Sequence, residues 1–328
     1  MYLCCIVPAK IATCSPIPQL VDLASSCENI LADTSLRIAV WIMAFASFTG
    51  NALVIFSNHC GKNIMNKTTA LVFSNLAVSD FLMSIYLIIV AINDNIYREN
   101  YALFAEEWLR TTACTIASFL MCTSSLMSVI MMLLISIDRY LITSKPLLSS
   151  DLRFKWIKFM LISGWLLTIT FVGIPIIMGI NRVGDLRLHK YSSICSPSNI
   201  ENSFYASWMI AFVLIQLIFW VLTAIFYIML LKAVDKSRRS VRSSAQSRNF
   251  AIAIRLSLIL ITDLITWLPV YGLLAIAISS GELNIFLLQF AIILAIPINS
   301  AVNPYIYTAT GTVCFNRLLN FFLEKKLR

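Results

Sequence analysis

Three carboxylates interrupt otherwise apolar stretches of this chain: Asp80, Asp263 and Asp138, the last beside Arg139. A carboxylate in hydrocarbon is costly and should face a protein interior with a partner. Two amides, Asn299 and Asn303, lie one helical turn apart near the C-terminus and would face one side of a helix. Such groups suit pairing and switching rather than covalent chemistry. The nine cysteines follow no metal-ligand spacing, and His59 and His189 read as isolated loop histidines. No metal, cofactor or enzymatic activity is expected.

The elements that carry these groups follow from composition and run length. The chain has 328 residues, 59% hydrophobic and 12% charged, against roughly 25% charged in a soluble domain. About 20 apolar residues at a 1.5 Å rise cross a hydrocarbon core of about 30 Å. Seven segments qualify: 36–57, 69–91, 112–137, 157–178, 205–231, 253–279 and 285–307. Their length and lack of alternation exclude a closed β-barrel. Each is apolar all round, so periodicity marks no buried face. The fold expected is an all-α membrane protein, a seven-transmembrane helix bundle in the lipid bilayer. Its parts are an extracellular segment 1–35, a helical domain 36–308 and a cytoplasmic tail 309–328.

The net charge of +9 does not point to nucleic acid, because the basic residues lie between apolar segments. Of the 25 Lys and Arg, 18 fall near the odd-numbered inter-span loops and the tail. That bias places these loops in the cytoplasm, the N-terminus outside and the C-terminus inside. Met1–Ala9 lacks the charged region of a signal peptide, so the first span is expected to act as its own insertion signal, and the expected location is the plasma membrane. Phe315, Leu318, Leu319 and Phe322 repeat at helical spacing, as in a short amphipathic helix at the inner interface. Cys314 beside it is a candidate for palmitoylation. The sequon Asn66-Lys67-Thr68 falls in a cytoplasmic loop and should remain unmodified. Prolines within spans free a carbonyl and permit kinks. No internal repeat of the transporter kind is visible.

Taken in order, the markers are Gly50-Asn51, Asn75 to Asp80, Asp138-Arg139-Tyr140 with Pro146-Leu147, Trp165, Trp267-Leu268-Pro269 and Asn303-Pro304-Tyr305-Ile306-Tyr307. Together they resemble the rhodopsin class of G-protein-coupled receptors over about Leu36 to Leu323. A narrower similarity, to leucine-rich-repeat hormone receptors, rests on Ser26-Cys27-Glu28-Asn29-Ile30-Leu31, on Leu36 to Trp41, on Tyr101 to Trp108, on Thr262-Asp263 and on Pro297 to Pro304. Trp267 aligns the chain with relaxin receptors more than with glycoprotein-hormone receptors. Three departures stand out. Only about 35 residues, without such a repeat, precede the first span; Leu126 stands where the group has a buried Glu; and Asp138-Arg139-Tyr140 keeps the general receptor form.

The resemblance implies a disulfide between Cys114 and Cys195. It implies an extracellular ligand, a relaxin-like peptide or protein, and a heterotrimeric G protein as intracellular partner. Asp138 would hold Arg139 at rest, and Asp263 would bond Asn299 or Asn303 to tie span six to span seven. On activation span six would swing out below Pro269. Arg139, Tyr227 and Tyr307 would then line a cavity for the G protein, which packs on Leu147. Asn51, Asp80, Trp267 and Pro304 complete the switch set. Span seven has no Lys for a retinal Schiff base, and span three no acid for an amine. The alternatives are a receptor of another rhodopsin-class subfamily, a non-signalling scaffold and a transporter.

Overall fold

The computed structural model describes residues 28–60, 67–145, 149–180, 188–189, 192–199, 202–240, 266–268, 271–273 and 285–308. Six helices precede the sixth span: α1 (Thr34–Cys60), α2 (Lys67–Ile96), α3 (Tyr101–Arg110), α4 (Thr112–Ser144), α5 (Ser150–Ile180) and α6 (Ser203–Ser240). The seventh span is α7 (Ile285–Phe290), a π-helical turn (Ala291–Ala295) and α8 (Ile296–Thr308). Among the described residues five helices, α1, α2, α4, α5 and α6, are long and apolar enough to cross a membrane. The short helix expected over 313–323 and all but two short pieces of the sixth span lie outside the described residues.

Burial sorts helices that composition cannot. Of the most apolar window of each helix, 83% is buried in α4 but only 17% in α6. The third span is therefore the axis of the bundle, and the fifth offers most of its surface to lipid. Within α1 the outward face is Ile38, Ile42 and Phe45, while the inward face includes Ser47 and Asn51. Lipid tails welcome large apolar side chains, so small and polar residues turn to the protein interior. Gly50 shows why size matters: a Cβ there would sit 2.9 Å from Pro304 Cβ, so only glycine lets the first span come this close to the seventh.

Each kink-forming proline leaves a carbonyl four residues earlier without its helical donor. The structure supplies a substitute for two of them. Pro304 frees the Ser300 carbonyl, which accepts from Asn51 Nδ2 at 2.8 Å. Pro175 frees the Phe171 carbonyl, which accepts from Trp208 Nε1 at 2.9 Å. Ahead of Pro297 the helix widens, with the Ile296 amide reaching back five residues to the Ala291 carbonyl. π-turns of this kind accommodate an interrupted hydrogen-bond ladder.

α3 joins spans two and three. Its buried residues Tyr101, Ala105, Trp108 and Leu109 follow the amphipathic helical spacing. Thr111 then caps α4, its hydroxyl accepting from the Cys114 amide at 3.1 Å. That cap fixes Cys114 in the first turn of the central helix.

Candidate functional site: a polar spine between two ends

Buried polar residues form several groups inside the bundle. In one of them Asp80 is fully buried. Its carboxylate accepts from Ser300 Oγ at 3.0 Å and from Asn303 Nδ2 at 3.1 Å. Ser47 Oγ donates to the Asp80 carbonyl at 3.1 Å, and Asn51 bridges Ser47 to Ser300. Spans one, two and seven thus share one network around a single buried acid. Separately, Trp165 Nε1 donates to Asn75 Oδ1 at 2.9 Å, joining spans two and four. Gln216 of α6 donates to Ser125 of the third span at 3.3 Å.

Asn299 and Asn303 take different directions. Asn299 Nδ2 donates to Thr266 Oγ1 of the sixth span at 3.1 Å, whereas Asn303 turns to Asp80 of the second. The sequence puts both on one side of the helix and lets Asp263 bond either Asn299 or Asn303. The amide bond found for Asn303 instead serves span two, because the fully buried Asp80 carboxylate lies across from it. Asp263, the expected partner, lies outside the described residues, as do Pro269 and Leu147. Trp267 is buried and stacks on Tyr271, with centroids 5.8 Å apart. It lines a small polar pocket with Ser124, Ser128 and Asn299.

At one end of α4, Asp138 is buried and faces two guanidinium groups. Arg139 Nη2 lies 3.5 Å from one carboxylate oxygen, and Arg153 Nε of α5 lies 3.0 Å from the other. Arg139 also donates to Thr69 Oγ1 of α2. Tyr140 meets Phe226 edge-on at 6.1 Å, and Tyr227 packs on the apolar cluster around Leu134 and Leu230. Tyr307 falls in the last turn of α8.

The opposite end holds the expected Cys114–Cys195 disulfide, with Cα atoms 5.4 Å apart. Cys195 adopts φ 57°, a left-handed conformation unusual for a side chain with a Cβ. The surrounding loop is hung from indole and phenol groups: Trp108 Nε1 donates to the Ser193 carbonyl at 2.6 Å and Tyr86 Oη to the Ile194 carbonyl at 3.0 Å. His189, in a loop as expected, is nevertheless buried, with Nε2 3.1 Å from the Leu109 carbonyl.

Sequence reasoning missed the most densely bonded feature of this end. Residues 28–33 plug the bundle, with Ile30 and Leu31 fully buried. The Leu31 amide donates to Asp94 Oδ1 at 2.8 Å and the Ala32 amide to Gln289 Oε1 at 2.8 Å. Gln289 Nε2 and Ser193 Oγ donate to the Ile30 carbonyl at 2.8 and 3.0 Å. Asp94 also pairs with Arg37 Nε at 3.1 Å, joining spans one and two. The apolar run of span two stops at Ala91, short of Asp94, whereas α2 continues to Ile96. Just outside the span, Asp33 accepts from the Ser35 side chain and amide, which hold its carboxyl below the ordinary range.

Comparison with known proteins agrees with this geometry. Residues 50–307 match the 7 transmembrane receptor (rhodopsin family). The G-protein coupled receptor GRL101 of Lymnaea stagnalis is 28% identical, over 93% of this chain and 27% of that protein. Relaxin receptor 2 of Homo sapiens is 26% identical over 98% of this chain and 41% of its own length. The lutropin-choriogonadotropic hormone receptor of Gallus gallus is 26% identical over 96% and 41%. The chain therefore spans about two fifths or less of these relatives.

Proposed function

Because the chain belongs to the rhodopsin family of seven-transmembrane receptors, we propose that it carries a signal from an extracellular peptide or protein hormone, relaxin-like in class, to a heterotrimeric G protein. The observation that carries this reading is Arg139. It sits at one end of the central helix and is held sideways by Asp138 and Thr69. An arginine so held can be released toward a partner without covalent chemistry. The disulfide end is extracellular and the Arg139 end cytoplasmic, in keeping with the basic-loop bias. The names of the relatives, a relaxin receptor and a gonadotropin receptor among them, support the ligand class.

In this reading the segment 28–33 is the receiving element. A ligand that shifts it pulls on span two through Asp94 and on span seven through Gln289. Span seven carries the strain along Asn299, Ser300 and Asn303 to Thr266 and Asp80. Asp263 adds to the hold on span six, and Trp267 and Pro269 form its pivot. Asn51 and Pro304 keep span one packed on span seven. Span six then swings out, and Tyr140, Leu147, Tyr227 and Tyr307 join Arg139 around the opened cavity. A ligand moves this balance only by its differential affinity for the two states.

Purified receptor in lipid vesicles should accelerate GTPγS uptake by at least one class of G protein, and Arg139→Ala should abolish the effect. Equal uptake with wild type and Arg139→Ala would refute coupling through this arginine. An N-terminal epitope tag should be reached by antibody on intact cells; a need for permeabilisation would invert the topology. Asp263→Asn should raise agonist-free uptake a few-fold at matched expression, since interhelical hydrogen bonds average only about 0.6 kcal/mol. Unchanged or lower uptake would remove Asp263 from the lock.

A further inference from the structure

We propose that Arg153, on the first turns of α5, is a second counter-ion for Asp138 that permits Arg139 to leave, and thereby sets the resting balance of the bundle. The inference rests on the coupling role of Arg139 proposed above. Its basis is a shared carboxylate. Asp138 is 1% exposed and Arg153 8% exposed. Arg153 Nε lies 3.0 Å from Asp138 Oδ1, nearer than Arg139 at 3.5 Å from Oδ2. The Arg153 N–H is not aligned on that oxygen, so the contact is an ion pair of opposite charges at close range rather than a directed hydrogen bond.

The consequence concerns what Arg139 leaves behind. A buried carboxylate stranded by its only cation is strongly unfavourable. With one arginine the resting pair would be hard to open. Here Asp138 keeps a cation when Arg139 departs, because Arg153 belongs to another helix and its backbone is anchored by the bond from its amide to the Ser149 carbonyl at 3.2 Å. The two guanidinium groups also repel one another across the carboxylate. That repulsion favours the sideways position of Arg139 toward Thr69. Arg153 is thus a positioning residue: it acts through Asp138 and need not touch the G protein.

The test combines two readouts on full-length protein in lipid vesicles, without agonist and with excess G protein. Arg153→Gln should lower receptor-driven GTPγS uptake about two- to fivefold, as expected for directly coupled neighbours. Arg153→Lys should retain most of it. Asp138→Asn should raise uptake, and adding Arg153→Gln to that variant should change nothing further. The second readout is a double-mutant cycle on thermal midpoints, where the two substitutions together should cost less than the sum of each alone. Uptake for Arg153→Gln equal to or above wild type overturns the proposal, and so does an undiminished effect of Arg153→Gln in the Asp138→Asn background. Additive thermal losses overturn it as well, since they deny the pair. If wild type drives no uptake with any G-protein class while the thermal cycle still shows coupling, the coupling reading fails and the ion pair is structural. Should Arg153→Gln not fold, Arg153→Met, which keeps the buried stem, takes its place in both readouts.

Discussion

The two ends of the bundle are held in different ways. At the disulfide end, side chains from spans two and seven and from the loop before α6 grip the backbone of residues 28–33, and a covalent bond ties that loop to the central helix. At the Arg139 end two arginines share one buried carboxylate. Backbone bonds fix a segment in one place. An ion pair with two candidate cations keeps its buried carboxylate compensated when one of them is removed. The contrast is between an end held by backbone bonds and a disulfide and an end where buried charges share a partner, with the Asp80 network between them.

The largest effect should come from Asp94. Asp94→Ala strands the Arg37 guanidinium and removes the acceptor of the Leu31 amide. Breaking a buried pair in this manner costs about 3–5 kcal/mol. Thermal stability should fall sharply, and hydrogen exchange at Leu31 and Ala32 should become fast. Fast exchange at those amides already in wild type would mean the plug is not held, and the contrast between the ends would collapse.

Loss of the disulfide should follow closely. Cys114→Ser should lower stability by about 2–5 kcal/mol and reduce the amount of folded receptor. An unchanged thermal midpoint would show that the indole and phenol bonds to Ser193 and Ile194 suffice on their own.

Gly50→Ala tests the middle of the molecule. The new Cβ meets Pro304 at 2.9 Å, and overpacking of this kind costs about 1–3 kcal/mol. Because the clash separates spans one and seven, agonist-free activity should change along with stability. A stable variant with wild-type activity would argue that the two spans can part without consequence.

The smallest effect is expected from Trp165→Phe. It deletes one interhelical hydrogen bond, to Asn75, worth about 0.6 kcal/mol on average in membranes. A loss of several kcal/mol in thermal denaturation would show that span four contributes more to the bundle than this single bond.

Most of the spans were legible from length and hydropathy, with ends extended by a few residues. The third runs on to Ser144 and the fourth begins at Ser150. These extensions matter, because Asp94 and Arg153 sit in the turns that the apolar runs alone did not reach. The disulfide and the Asp138-Arg139-Tyr140 end were found by resemblance of motif. Helix α3 carried a readable signal in Tyr101, Ala105, Trp108 and Leu109, yet as a short segment between two long apolar runs it read as loop. The partner of Asn303 could not be read, since two amides one turn apart on a helix may still reach different neighbours.

What the sequence determined by itself is what depends on one segment at a time. Crossing a bilayer needs a stretch of sufficient length without charge, and a proline removes its donor wherever it stands. Tertiary structure alone decided which groups answer those local demands. Asn51 serves the carbonyl freed by Pro304, Trp208 that freed by Pro175, and Arg153 shares Asp138. These helices are apolar on every side, so no periodicity in the sequence marks their inner faces. The faces emerge only when lipid takes the large apolar side chains and the small and polar ones are left to find one another inside.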